Sequence, residues 1–168
     1  MHKININESD MATSLYIIDG HKMATSEVSV FFRDSALDFI ENSQLNNQQK
    51  QHLVDALEKS DQIYFYSRLK VPPGLTNKGI GTQLLQETLK YIENKNGFLI
   101  NTANAYGEKS QEELIEFYQK NKMILIQADG GLVFSKNINL ELFQIPLSQI
   151  SQEENNAKKI EKLKKIKF

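Results

Sequence analysis

A chain of 168 residues, 40% hydrophobic and 24% charged, is sized for one globular core, and two would be hard to build from it. Its net charge of −1 excludes a global field that recruits nucleic acid or an anionic membrane, so any such attraction has to be local. The absence of cysteine excludes disulfides, thiol nucleophiles and thiolate metal sites together.

The three histidines, His2, His21 and His52, lack the spacing of a metal-binding set, and no metal is expected. The segment Met1 to Glu8 has no apolar stretch of signal-peptide length. Runs such as Leu15 to Ile18 and Ile63 to Tyr66 fall far short of a membrane span. The expectation is a cytoplasmic protein without a membrane partner.

In chain order, Thr13 to Ile18 and Met23 to Phe32 read as strands around Asp19-Gly20, a dipeptide suited to a tight hairpin. Asp34 or Ser35 is placed to cap a short helix carrying Ala36, Leu37, Phe39 and Ile40. Asn46 or Asn47 caps a second, whose stripe is Leu53, Val54 and Leu57. Ile63 to Val71 is a β-branched and aromatic strand that Pro72-Pro73-Gly74 ends. Lys78 to Asn94 follows as a helix with Ile80, Leu84, Leu85, Leu89 and Ile92 on one face, stopped at Asn96-Gly97.

Phe98 to Thr102 is a short buried strand. Ser110 with Glu113 forms a capping-box pattern for a helix that buries Leu114, Ile115, Phe117 and Tyr118. Met123 to Gln127 and Leu132 to Ser135 close the domain as a hairpin. The domain spans 1–147, and 148–168 is a polar linker and lysine-rich helix. In that helix Ile160, Leu163 and Ile166 make a weak stripe, read first as a solvated face, with a polyanionic or membrane partner as the alternative.

The chemistry-bearing segment is Leu69 to Leu85. A strand enters a glycine-containing loop that opens directly into an amphipathic helix, which aims unpaired N–H groups and the positive end of a helix dipole at one point. A P-loop needs Lys and Ser or Thr after Gly79, where Ile80 and Gly81 stand. A dinucleotide fingerprint starting at Gly79 needs glycine at position 84, which is Leu.

The run Thr76-Asn77-Lys78-Gly79-Ile80-Gly81 followed by Thr82 resembles the acyl-coenzyme A loop of the GNAT acetyltransferases, with Thr76 standing where that family has Arg or Gln. Glu116 to Met123, an aromatic pair and a polar turn leading into a strand, is similar to the family's second motif, with Lys122 where the family has Gly. Asn121 is the residue expected to take the left-handed cap there, since Asn tolerates positive φ. The motifs cover about half of the chain, Ile63 to Ser135. The helical stretch before them departs from the family by following the first hairpin.

This resemblance implies an α/β fold with a central mixed, mostly antiparallel sheet flanked by helices, and an N-acetyltransferase that uses acetyl-CoA and an amine acceptor. It implies that Leu69 and Val71 pair with the pantetheine, that the Val71 N–H polarises the thioester, and that Asn77, Lys78, Gly79, Ile80, Gly81 and Thr82 cradle the pyrophosphate. It implies that Tyr118 protonates the leaving thiolate. A core aromatic beside Phe117 is the structural alternative, Tyr106 is the reserve acid, and Glu27 is a guess for the base. Two other functions stay open: an acyl-CoA-binding module without turnover, and a toxin-like enzyme that acetylates aminoacyl-tRNA, with the lysine tail meeting nucleic acid.

Overall fold

The computed structural model describes residues 2–105 and 109–143. Tyr106 and the expected linker and helix of 148–168 lie outside the described residues. The chain divides into two units, Met1–Ile138 and Asn139–Phe168. The described part of the second is a 3-10 turn, Leu140–Phe143, begun by Asn139 Oδ1 accepting from the Glu141 N–H at 3.1 Å.

Among its described residues the first unit has seven strands and four helices. They run β1 (Asn5–Glu8), β2 (Ala12–Asp19), β3 (Lys22–Val30), α1 (Arg33–Glu41), α2 (Asn47–Glu58), β4 (Gln62–Lys70), α3 (Ile80–Asn94), β5 (Gly97–Thr102), α4 (Gln111–Lys120), β6 (Ile124–Gln127) and β7 (Gly131–Phe134). The strands form one sheet in the order β1-β2-β3-β4-β5-β7-β6. Every neighbouring pair is antiparallel except β4–β5, which is parallel. This is the expected mixed α/β architecture with a mostly antiparallel sheet. The helical pair α1–α2 does lie between β3 and β4, after the first hairpin.

The alternation of β2 and β3 explains the core. Leu15, Ile17 and Ala24 point to one face and pack on Leu75, Ile80 and Leu84, all buried. The five apolar positions assigned to α3 are all buried, and Thr88, between Leu84 and Ile92 on the same face, is buried with them. At about 25 cal/mol per Å² this apolar seam is the main force holding α3 on the sheet. A Thr there is tolerated because its hydroxyl donates to the Leu84 carbonyl at 2.7 Å.

Several local expectations change. The first hairpin turn is Gly20-His21, since Asp19 still pairs with Lys22, and Gly20 takes φ +64. β3 ends at Val30, and Phe32 is exposed and stands at the N-cap of α1 without a side-chain cap, so neither Asp34 nor Ser35 caps that helix. β4 ends at Lys70 and α3 begins at Ile80.

In α4, Ile115 and Tyr118 are buried while Leu114 and Phe117 are only half-buried. Asn121 is not left-handed (φ −99); the next residue, Lys122, takes φ +75. Asn121 instead ends α4 by donating Nδ2 to the Phe117 carbonyl at 2.8 Å. β1 was not foreseen, because Asn5-Ile6-Asn7-Glu8 offers a single apolar residue. It is an edge strand held by its ladder with β2.

The caps at Asn46 and Ser110 are both full capping boxes, with Gln49 and Glu113 respectively. Asn46→Ala removes the acceptor for the Gln49 N–H, now 2.8 Å away. It is expected to cost about 1 kcal/mol and lower the melting temperature by about 2–4 °C, measured by circular dichroism. An unchanged midpoint would show that α2 is held by packing alone.

Candidate functional site

β4 and β5 pair only from Gln62↔Gly97 to Phe65↔Ile100. β4 runs on to Lys70 held by β3, and β5 runs on to Thr102 held by β7. Each strand therefore turns its other edge into a gap that begins after Phe65 and Ile100. A β-bulge accompanies the parting: Glu27 faces Arg68 while Val28 faces Tyr66, so Ser67 is the extra residue. A bulge bends a strand and increases its twist, which carries the end of β4 away from β5.

The end of β4 leads to the glycine loop. Leu75 anchors that loop in the core, and its N–H donates to the Pro72 carbonyl at 3.1 Å. Lys22 Nζ donates to the Pro73 carbonyl at 2.9 Å. Gly74, Asn77 and Gly79 all have positive φ, at +92, +62 and +75. A Cβ on Gly79 would meet nothing within 4 Å, so glycine is required there by the backbone angle and the surface beside it is open.

The first intrahelical bond of α3 runs from Gln83 N–H to Gly79 O at 3.0 Å, and α3 has no side-chain cap. The N–H groups of Ile80, Gly81 and Thr82 thus have no helical acceptor. They are the natural donors for an anion, with the helix dipole behind them.

The sequence-assigned residues fall in two groups. Asn77, Lys78 and Gly79 are exposed on the loop, and Gly81 and Thr82 are half-buried at the helix start. The Ile80 side chain is buried in the core, so only its backbone can meet a ligand. Leu69 and Val71 are partly buried against the same core as Leu75 and Ile80. A Cβ on Gly81 would lie 3.5 Å from Val71 Cγ2 and 3.9 Å from Phe117 Cζ. The end of β4, the start of α3 and the aromatic pair of α4 therefore converge on one place.

Tyr118 stands over the gap from the α4 side. It is 6% exposed and meets Tyr66 edge-on, with ring centroids 6.2 Å apart. Burial pushes the Tyr118 phenol up from its ordinary value, while the neighbouring Asn101 side-chain amide pulls it down. Tyr66 is raised more strongly, first by burial and then by the Tyr118 phenol, against the hydrogen bonds of Ser26 and Thr88. The Tyr66 hydroxyl, Ser26 Oγ and Thr88 Oγ1 form a buried chain that ends on the Leu84 carbonyl. With Thr88 donating to Leu84, Ser26 donates to Thr88 and Tyr66 to Ser26, so every proton has an acceptor.

Glu27 is half-buried at the bulge, on the face opposite Ser26. Its two carboxylate oxygens accept from Ser14 Oγ at 3.1 Å and Ser67 Oγ at 3.0 Å.

Two residues at the site carried no sequence signal. Asn101 is 3% exposed on β5, and its Nδ2 has no hydrogen-bond partner among the described residues. Lys109 places its Nζ 5.2 Å from the Phe117 ring, which adds a cation on this side of α4. A buried Asn inside Phe98 to Thr102 looks like any polar interruption of a strand, and Lys109 precedes α4 in a loop without pattern. Neither position is legible without the fold. Among the described residues no group of acidic or histidine side chains is arranged to hold a metal, and no helix is long and apolar enough to cross a membrane.

The fold and the site define an α/β protein whose sheet opens between its two parallel strands beside an uncapped helix start. No protein-family model matches the chain, and no curated protein matches it. Among solved structures it is similar to the crystal structure of the anti-CRISPR protein AcrVA5, at a TM-score of 0.39 and 15% identity over 79% of this chain and 98% of that one.

The raised phenols have a pH consequence. Both stay protonated in the folded protein above about pH 10, where the unfolded chain has begun to release its phenolic protons. Between the unfolded and folded values the native state binds more protons, so the stability these two phenols contribute is fully present below about pH 10 and is lost as pH rises beyond it. Tyr66→Phe should cost about 1 kcal/mol at neutral pH yet lose less melting temperature than wild type between about pH 10 and 11.5. Parallel alkaline curves for the two proteins would place the sensitivity elsewhere.

Proposed function

We propose that this protein is an acyl-coenzyme A-dependent N-acyltransferase, with acetyl-CoA as cosubstrate and a primary amine as acceptor. The observation that carries this is the parting of β4 from β5 after Phe65 and Ile100, with the uncapped start of α3 at one end and Tyr118 above it. A strand edge without a partner accepts an extended ligand as an added strand. A bare helix start accepts a phosphate. Few ligands join an amide-bearing arm to a pyrophosphate, and coenzyme A does. The two motifs that resemble the GNAT family supply the residues at both places.

Acetyl-CoA supplies an acyl group on a thioester and a pyrophosphate at the far end of its pantetheine arm. The N–H groups of Ile80, Gly81 and Thr82, with Asn77, Lys78 and Gly79, receive the pyrophosphate. The edge of β4 near Leu69 and Val71 receives the pantetheine amides, and the Val71 N–H polarises the thioester carbonyl. The amine forms a bond to the carbonyl carbon as the carbon–sulfur bond breaks, so an amide and a thiolate result.

Tyr118 protonates that thiolate, and the amine's own proton leaves to solvent or to Glu27 at the bulge. A buried phenol raised by desolvation is fully protonated at neutral pH, which suits a donor and excludes a resident base. The acceptor side, shaped by segments that do not resemble the family, leaves the amine unspecified.

The test is binding before catalysis. Acetyl-CoA at a hundred times its dissociation constant should stabilise the fold by about 2.7 kcal/mol, a rise of roughly 5–10 °C in melting temperature. Gly81→Glu should abolish the rise, because it adds a carboxylate at the helix start proposed to receive the pyrophosphate, at a position where a Cβ itself meets only ordinary contacts. No rise in wild type, or an equal rise in the variant, overturns the cradle.

For a responsive amine, Tyr118→Phe should lower turnover about 10²- to 10⁴-fold with coenzyme A affinity within a few-fold. Normal turnover would return Tyr118 to the core.

A further inference from the structure

Asn101 is the first β5 residue beyond the point where β5 leaves β4. It is still paired through its backbone to Leu132 of β7, so its position is fixed by the sheet. The parallel register puts it on the same face as Leu99 and Tyr64, which is the face that carries Tyr66 and α4. Its side chain is 3% exposed and lies beside the Tyr118 phenol. Its Nδ2 faces the Tyr118 phenolic oxygen, whose ionised form it favours, but makes no hydrogen bond of good geometry among the described residues. A buried donor without an acceptor loses its water and gains nothing in return, which is why native proteins hold so few of them. The neighbouring polar chain of Tyr66, Ser26 and Thr88 is fully satisfied, so the shortfall at Asn101 is local.

We infer that the Asn101 side-chain amide donates to the carbonyl oxygen of the bound acyl thioester, as a substrate-binding group at the closed end of the β4–β5 gap. This rests on the acyltransferase reading and extends it to a residue outside both motifs. Tyr118 beside it serves the sulfur of the same thioester, and the carbonyl oxygen is two bonds from that sulfur, so one neighbour of Tyr118 is well placed to meet it. As the amine adds, negative charge grows on this oxygen, and a dry, fixed donor stabilises it more than water does.

The experiment uses the full chain and compares wild type with Asn101→Leu, a near-isosteric side chain without a donor. Three quantities are read: melting temperature of the free protein, affinity for coenzyme A against acetyl-CoA, and kcat and KM for coenzyme A release. The inference expects an unligated melting temperature no lower than wild type, because an unsatisfied donor has been removed. It expects affinity for coenzyme A, which has no acyl carbonyl, within a few-fold, and weaker binding of acetyl-CoA. It expects kcat to fall about 10²- to 10³-fold, the usual effect of losing one oxyanion donor.

A wild type that binds neither ligand overturns the acyltransferase reading and this inference with it. A wild type that turns over while the variant matches it overturns the inference alone. A marked loss of stability in Asn101→Leu shows that Nδ2 serves the fold, through a water, and also overturns it. If the Leu variant does not fold, Asn101→Ala carries the same three measurements with the same outcomes.

Discussion

Everything distinctive about this molecule depends on one interruption of hydrogen bonding. Two parallel strands at the centre of a sheet normally pair along their length, because buried N–H and C=O groups without partners are costly. Here β4 and β5 stop after Phe65 and Ile100 although both continue. The bulge at Ser67 lets β4 keep its ladder with β3 while bending away from β5. The result is a slot with backbone donors and acceptors on its walls, inside a sheet that is otherwise continuous from β1 to β6. Tyr66, Asn101 and Tyr118 occupy its floor and roof, so its polarity is chosen by side chains as well as by backbone.

The chemistry proposed for this slot follows from its dryness. A phenol in water is a weak acid with an ordinary value near 10. Burial raises it for Tyr118 and more so for Tyr66. The two rings are neighbours, yet only Tyr66 is locked into a completed chain of hydroxyls. Tyr118 has an amide beside it instead, which favours the ionised form and offsets part of the desolvation. Tyr118 is thus raised less than Tyr66. That difference in surroundings, more than the presence of a tyrosine, is why the proposal assigns the proton to Tyr118 and not to Tyr66.

Much of this was legible in the sequence, for reasons of period and chain geometry. The stripe of Ile80, Leu84, Leu85, Leu89 and Ile92 defines α3 because a helix needs a repeat near 3.6. The capping box at Ser110 and a cap at Asn46 were legible because such contacts join residues three apart, although the sequence left Asn47 open beside Asn46. The loop from Asn77 to Gly81 was legible because positive φ and bare N–H groups demand glycine or asparagine locally.

What escaped depends on partners distant in the chain. β1 is a strand only through its ladder with β2, and Asn5-Ile6-Asn7-Glu8 carries no pattern of its own. The cap of α1 failed because Asp34 and Ser35 are already inside the helix. The turn after α4 was off by one residue, with Lys122 in place of Asn121 taking the left-handed angle. Asn101 matters only once β4, β5 and α4 have been brought together.

The position of α1 and α2 bears on how the sheet is assembled. β2 and β3 are joined by a two-residue turn, Gly20-His21, so their ladder can zip locally. β3 and β4 are also antiparallel neighbours, but roughly thirty residues separate them, including both helices. Closing that loop carries an entropy cost that a hairpin avoids, and long-range pairing of this kind slows folding. The β1–β3 meander is then an early, local unit, and β4 joins it late, together with the helical pair. Because the slot lies between β4 and β5, it exists only once both strands have joined the sheet. A half-assembled chain has no preformed groove to misuse, and whatever binds between β4 and β5 binds only to the finished sheet.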